Sequence, residues 1–223
     1  MVPIKVFGLS GHDKKAGIWA ASVIINGKPD IVCFEGWSEF MKLFDFFDLG
    51  KIDNVSEDPE WKEILPLLKW YWQVVMSFLE KEEIIKAARI VEAQPIPIDV
   101  SIMDRMQRNK EIRDLRERDR GFRMRLWFAY KVFHNVNMTF AKLFFKFPNF
   151  MNSIVGKVYF QTIRRMWDRM LPESRWSGVV REEYMARKVF DVAKKHGGDA
   201  KIYVFVGTAH KWNLERMIKS MFT

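Results

Sequence analysis

The chain holds a single cysteine, Cys33, in 223 residues, which excludes an internal disulfide framework and any zinc site built on thiolates. Histidine is nearly as scarce, with four residues. No run reaches the ~18 uninterrupted apolar residues of a membrane-crossing helix, and the first residues lack the cationic, long-apolar, small-residue order of a secretory signal. These absences point to a reducing, cytoplasmic setting. Glycines do not gather into a phosphate loop, because Gly8-x-x-Gly11 lacks the third glycine and the lysine of nucleotide-binding motifs. Internal repeats and low-complexity tails are also missing.

What is present is 48% apolar and 29% charged, a balance that suits one globular domain over residues 1–223. Abundant Lys, Arg and Glu beside few Gln suit a thermophile. The net charge of +9 is unevenly placed. Residues 1–103 carry 11 basic and 16 acidic side chains (−5), and residues 104–223 carry 26 and 12 (+14). Such asymmetry fits an anionic partner, or simply solvated helix faces in two halves that fold together.

Apolar β-branched runs over 4–9, 31–35 and 201–206 read as strands. Helical spacing follows each: 14–27 with Ile18, Ala21 and Ile25, Trp37 to Phe47, and 210–221. A βαβα opening implies parallel strands joined by right-handed crossovers. Lys28-Pro29 ends the first helix. A polar connector over 50–60 precedes a helical pattern from Trp61 to about Glu92, and Pro95 and Pro97 bracket a turn into a short strand, Ile98-Asp99-Val100. Residues 102–120 form a charged helix with Arg105, Glu111, Asp114 and Arg118 interleaved. A further helix over about 177–195 stops at Gly197-Gly198. The expected fold is α/β: a small, mostly parallel sheet flanked by helices, with a large aromatic-rich helical insertion at about 105–172.

Three strand ends deliver polar side chains: His12 after Val6-Phe7-Gly8-Leu9, Glu35 after Ile31-Val32-Cys33-Phe34, and His210 after Val206-Gly207-Thr208-Ala209. In an open parallel sheet these ends share one edge. Cys33 alternates into the middle of its strand and reads as core. His134 and His196 lie in polar or Lys-rich helical settings and read as surface residues.

Four segments, in chain order, resemble the superfamily of the TraB/TIKI proteins, the ChaN-like proteins and the erythromycin esterases. Gly8-x-x-x-His12 looks like the esterase form of the first motif. Lys28-Pro29-Asp30-Ile31-Val32-Cys33-Phe34-Glu35 is similar to the TraB strand that ends in a carboxylate. Ile98 to Arg105 looks like the third strand and its Asp-Arg. Arg181-Glu182-Glu183-Tyr184-Met185-Ala186, followed by Val206-Gly207-Thr208-Ala209-His210, resembles the closing pair.

The resemblance implies a hydrolase of amide (peptide) or ester bonds centred on His12, Glu35 and His210. The leading form is metal-dependent: one branch implies a divalent metal (Mn, Co or Zn) held by those three residues, with a water acidified by the ion. The other implies His12 as a metal-free base oriented by Glu35. Arg181 would neutralise an anionic transition state with Glu182 in support, or else be a surface arginine paired with Glu182 or Glu183. Asp13 either fixes the His12 tautomer or caps the next helix. Asp104 and Arg105 reach the site rim or form a helix-terminal ion pair. The alternative function is a non-catalytic binding or membrane-surface-associated protein that keeps the fold, and Val180, standing where the family carries an acidic residue, suits it.

Thirteen aromatic residues from Phe122 to Trp167 interleave with Lys and Arg, and Pro148 breaks the stretch into two helices. The segment reads as a lid walling an apolar substrate pocket, as an amphipathic pair on an anionic membrane surface, or as a nucleic-acid surface. The resemblance, which leaves it as an insertion, favours the lid. A homodimer through the same face is a further expectation.

Overall fold

The computed structural model describes residues 3–9, 14–37, 41, 78–129, 131, 153–172 and 178–223. His12, Asp13 and His134 lie outside them, as do the residue 61–77 part of the third helical pattern, the Pro148 break and nearly all of the Trp37–Phe47 helix.

Among the described residues four strands form one sheet, β1 (Ile4–Leu9), β2 (Ile31–Phe34), β3 (Gln94–Pro97) and β4 (Ile202–Gly207). Their spatial order is β1-β4-β2-β3, and every pairing is parallel. All four residues of β2 and five of six in β4 are buried, because helices cover both faces of the sheet. Helices α1 (Lys14–Gly27) and α2 (Phe78–Ile90) pack on Val32, Phe34, Tyr203 and Phe205. Between β3 and the next crossover helix lie α3 (Ile102–Arg118), a helical stretch over 120–129, and α4 (Ile154–Met170). Then α5 (Val179–His196) and α6 (Thr208–Met221) cover the other face, over Ile31, Cys33, Ile202, Val204 and Val206. The α/β architecture with its parallel sheet is therefore as expected. Burial pushes the Cys33 thiol up to about 12, as befits a core cysteine with no counter-charge.

Two details differ from the sequence reading. The third strand is Gln94–Pro97, not Ile98–Val100, and both of its prolines lie inside it. Geometry explains how they are tolerated. Gln94 N donates to Asp30 O at 3.0 Å and Ile98 N to Phe34 O at 3.0 Å, so the even-numbered amides face β2. Pro95 and Pro97 face outward from an edge strand, where no donor is needed. In α1, Ile18 and Ile25 are exposed, whereas Ala16, Gly17, Ala20 and Ile24 are buried. Apart from Ile24 the buried stripe is made of small residues, which carry little hydrophobic signal but let α2 approach closely. A Cβ on Gly17 would lie 2.8 Å from Glu80 Cα and 2.9 Å from Glu80 O. Gly17→Ala must therefore push two backbones apart, and the expected cost is about 1–3 kcal/mol in urea unfolding. An unchanged midpoint would show that the two helices are not in this contact.

Chain topology fixes where the site lies. β4 is inserted between β1 and β2, with α1 and α2 on one face of the sheet and α5 and α6 on the other. The crevice outside the carboxyl end of β4 is the switch point at which open α/β sheets hold ligands.

Candidate active site

Glu35 leaves β2 into that crevice. Its backbone N–H still donates to Phe205 O, at 2.9 Å, so the residue is held as an extension of the ladder. Asp99 follows β3 by two residues, with its N–H on Gly36 O at 2.9 Å. His210 lies in the first turn of α6, which starts directly at Gly207. Arg181 and Glu182 lie in the first turn of α5, and both side chains are buried.

Arg181 is the central clamp. Its Nε donates to Asp99 Oδ1 at 2.9 Å, and one Nη donates to Asp99 Oδ2 at 2.5 Å and to Glu35 Oε1 at 2.7 Å. The surface-arginine alternative is thus wrong: the residue is 5% exposed and pairs with neither Glu182 nor Glu183 in these bonds. Burial alone would lower its pKa, but Glu35 and Asp99 outweigh burial and raise it. Arg105 approaches from α3, with Nη1 3.5 Å from Asp99 Oδ2, and so reaches the rim. Asp104 instead closes the start of α3, taking the Ser101 hydroxyl at 2.8 Å while its own N–H donates to Ser101 Oγ at 3.1 Å.

Glu35 has both oxygens engaged, since Oε2 accepts the Gly207 N–H at 2.7 Å. Burial would raise its pKa, yet His210, Arg181, the Gly207 amide and Lys81 together hold it well below the usual carboxylate range. A depressed carboxylate contributes stability that is complete above its unfolded pKa near 4.5 and disappears as pH falls through the folded value. Thermal scans are therefore expected to show stability falling more steeply with acid below pH ~4.5 in the wild type than in Glu35→Gln. Equal slopes would mean that Glu35 is not ionised in the cluster.

His210 sits between two carboxylates. Nδ1 is 2.8 Å from Glu182 Oε1, and Nε2 is 3.8 Å from Glu35 Oε1. A carboxylate accepts, so the Glu182 contact assigns the proton to Nδ1 and leaves the lone pair of the neutral ring on Nε2. Arg164, from α4, donates to the same Glu182 oxygen and lies 3.7 Å from Asp168. Glu182 is fully buried, and its Oε2 has no hydrogen-bond partner among the described residues.

Four of the five residues singled out from sequence, Glu35, Arg181, Glu182 and His210, come together in this way. The fifth, His12, lies outside the described residues. Three participants were missed: Asp99, Arg164 and Lys81. Lys81, on α2, is buried, which lowers its pKa, with Glu80 and Glu35 pulling the other way. His196 is exposed at the end of α5, as expected.

The described residues do not themselves fit a dication. Both oxygens of Glu35 are committed, one to a guanidinium that would repel the ion, and His210 Nδ1 is committed to Glu182. No group of three His, Cys, Asp or Glu side chains arranged to hold a metal occurs among the described residues.

Fold and site together define an α/β protein with a buried acid–histidine–arginine cluster at the carboxyl edge of a parallel sheet. No protein-family model matches the chain, and no curated protein matches it. Among the described residues no helix is long and apolar enough to cross a membrane.

Proposed function

We propose that this protein is a hydrolase of amide (peptide) or ester bonds in which His210 is the general base. One observation carries the reading: a single imidazole is held between two carboxylates at the switch point of the sheet. Nε2 takes a proton from water as the water attacks the carbonyl carbon, and the imidazolium that forms is stabilised by Glu182 on one side and Glu35 on the other. His210 then returns the proton to the leaving amine or alkoxide, so protons balance over the cycle. Arg181 acts as a positioning residue, since the bonds above commit its Nε and one Nη to Asp99 and Glu35. A metal-assisted form of the same hydrolysis would need His12 to join Glu35 and His210, and Arg181 to release Glu35.

The test is turnover of chromogenic esters and peptide amides by the purified chain, with chelator and with added Mn, Co or Zn. Hydrolysis that survives chelation is the expected result. Hydrolysis that requires the ion would replace this mechanism with the metal-assisted one. No turnover of either bond class in any arm would overturn the hydrolase reading.

A further inference from the structure

From Arg120 to Trp167 the chain carries nine Lys and Arg and not one Asp or Glu. At the average density of the chain, roughly six acids would fall in a stretch of that length. Thirteen aromatics share the same stretch. The described part shows how this composition is presented. On the helical stretch 120–129, Phe122 and Ala129 turn inward and pack with Leu171, Trp167 and Met170. Met124, Trp127 and Phe128, spaced three and four apart on the other face, are 61, 56 and 57% exposed. Arg120, Arg123, Arg125 and Lys131 are exposed around them, and Lys131 Nζ lies 4.4 Å from the centroid of the Trp127 ring. Nearby in sequence, α4 exposes Ile154, Val155 and Val158 beside the exposed Lys157.

We infer that this face docks on the surface of an anionic lipid bilayer, with Trp127, Phe128 and Met124 seated at the headgroup–acyl boundary and the surrounding cations on lipid phosphates. Charge complementarity selects the occupant. A second copy of the chain would bring two faces of like charge together. A nucleic acid would satisfy the cations and stack on Trp127 and Phe128, but it gives no burial to the exposed Met124, which acyl chains do. Indole and phenyl rings ringed by basic side chains are the composition of an interfacial helix. This surface uses none of the residues assigned to hydrolysis and stands without that reading.

Co-sedimentation with phosphatidylcholine vesicles and with vesicles holding about 30% phosphatidylglycerol tests the inference. Partitioning into the anionic vesicles is expected to be at least tenfold stronger, and to weaken between about 50 and about 300 mM salt. Each basic residue near such a surface is worth about fivefold, so the Arg120→Gln, Arg123→Gln, Arg125→Gln triple variant should lose well over tenfold. Trp127→Ser with Phe128→Ser should lose a comparable factor at unchanged charge. Circular dichroism and sedimentation velocity check that these exposed positions leave the fold and the monomer mass unaltered. Equal partitioning into both vesicles overturns the inference. So does an aromatic variant that still binds normally, a wild type that self-associates through this face, or single-stranded RNA that displaces the vesicles regardless of Trp127 and Phe128.

Discussion

Arg181→Met is expected to destabilise the protein by about 3–5 kcal/mol at neutral pH, the cost of stripping the partner from a buried ion pair. Two carboxylates depend on this guanidinium, and Asp99 is only 1% exposed. After the substitution Asp99 retains the Val100 N–H at 2.9 Å and the more distant Arg105, and Glu35 retains the Gly207 N–H, with His210 and Lys81 near it but hydrogen-bonding neither oxygen in these contacts. Those contacts do not neutralise two charges held in one crevice. Against a total stability of ~5–15 kcal/mol the loss is a large fraction, equivalent to a fall in Tm of roughly 10 °C or more. Acid should narrow the gap: without the guanidinium, burial raises the pKa of Glu35, which takes up a proton at higher pH than in the wild type, and the deficit shrinks as pH falls. The double variant Arg181→Met, Asp99→Leu should recover part of the loss, because an apolar replacement removes one stranded charge. Urea unfolding of the three proteins at pH 7 and pH 4 measures all of this. A change below 1 kcal/mol at pH 7 would mean that the clamp is not closed in solution.

How legible the site was depends on how each residue is displayed along the chain. Glu35 and His210 follow long β-branched runs, and such a run fixes both a strand and what lies just past its end. Asp99 obeys the same rule, but β3 carries Pro95 and Pro97, which read as a turn. The sequence pattern therefore sets the strand three to four residues late, with Asp99 inside it instead of at its end. Only the edge position of β3, a property of the whole sheet, makes those prolines acceptable. Lys81 sits in the run Glu80-Lys81-Glu82-Glu83, which looks like a solvated helix face, and nothing local shows that its first two residues are buried. Arg164 meets Glu182 from another helix, among arginines with the same local pattern. Glu35 and His210 can be read from their strand ends, and Arg181 and Glu182, on a helix, only through the family resemblance, whereas Lys81 and Arg164, delivered by the packing of one helix on another, leave no local signal. The same limit explains α1, where the contact with α2 is built on Ala16, Gly17 and Ala20 and the conspicuous isoleucines face outward.

Glu182→Gln and His210→Ala are expected to lower turnover by about 10²–10⁴, the usual worth of a positioned general base. The two act through one bond. A glutamine at 182 keeps the size of the side chain but replaces an obligate acceptor with a group that also donates. If its amide N–H meets Nδ1, the imidazole lone pair is drawn to that side and Nε2 carries the proton, so the ring no longer accepts one from water. Even when the amide oxygen faces Nδ1, the negative charge that stabilised the imidazolium is gone. Because both substitutions disable one proton acceptor, the double variant should be about as slow as the slower single, not the product of the two. Arg164 complicates Glu182→Gln, since it loses its counter-charge and some stability with it. His210→Ala gives a cleaner reading, and it also permits chemical rescue: imidazole added to the solvent can occupy the vacated volume and restore a fraction of turnover. A purely structural histidine predicts the opposite pattern, with activity tracking thermal stability across variants and added imidazole without effect. Turnover above a tenth of wild type in both single variants would remove His210 from the chemistry and leave the cluster as a structural knot at the sheet edge.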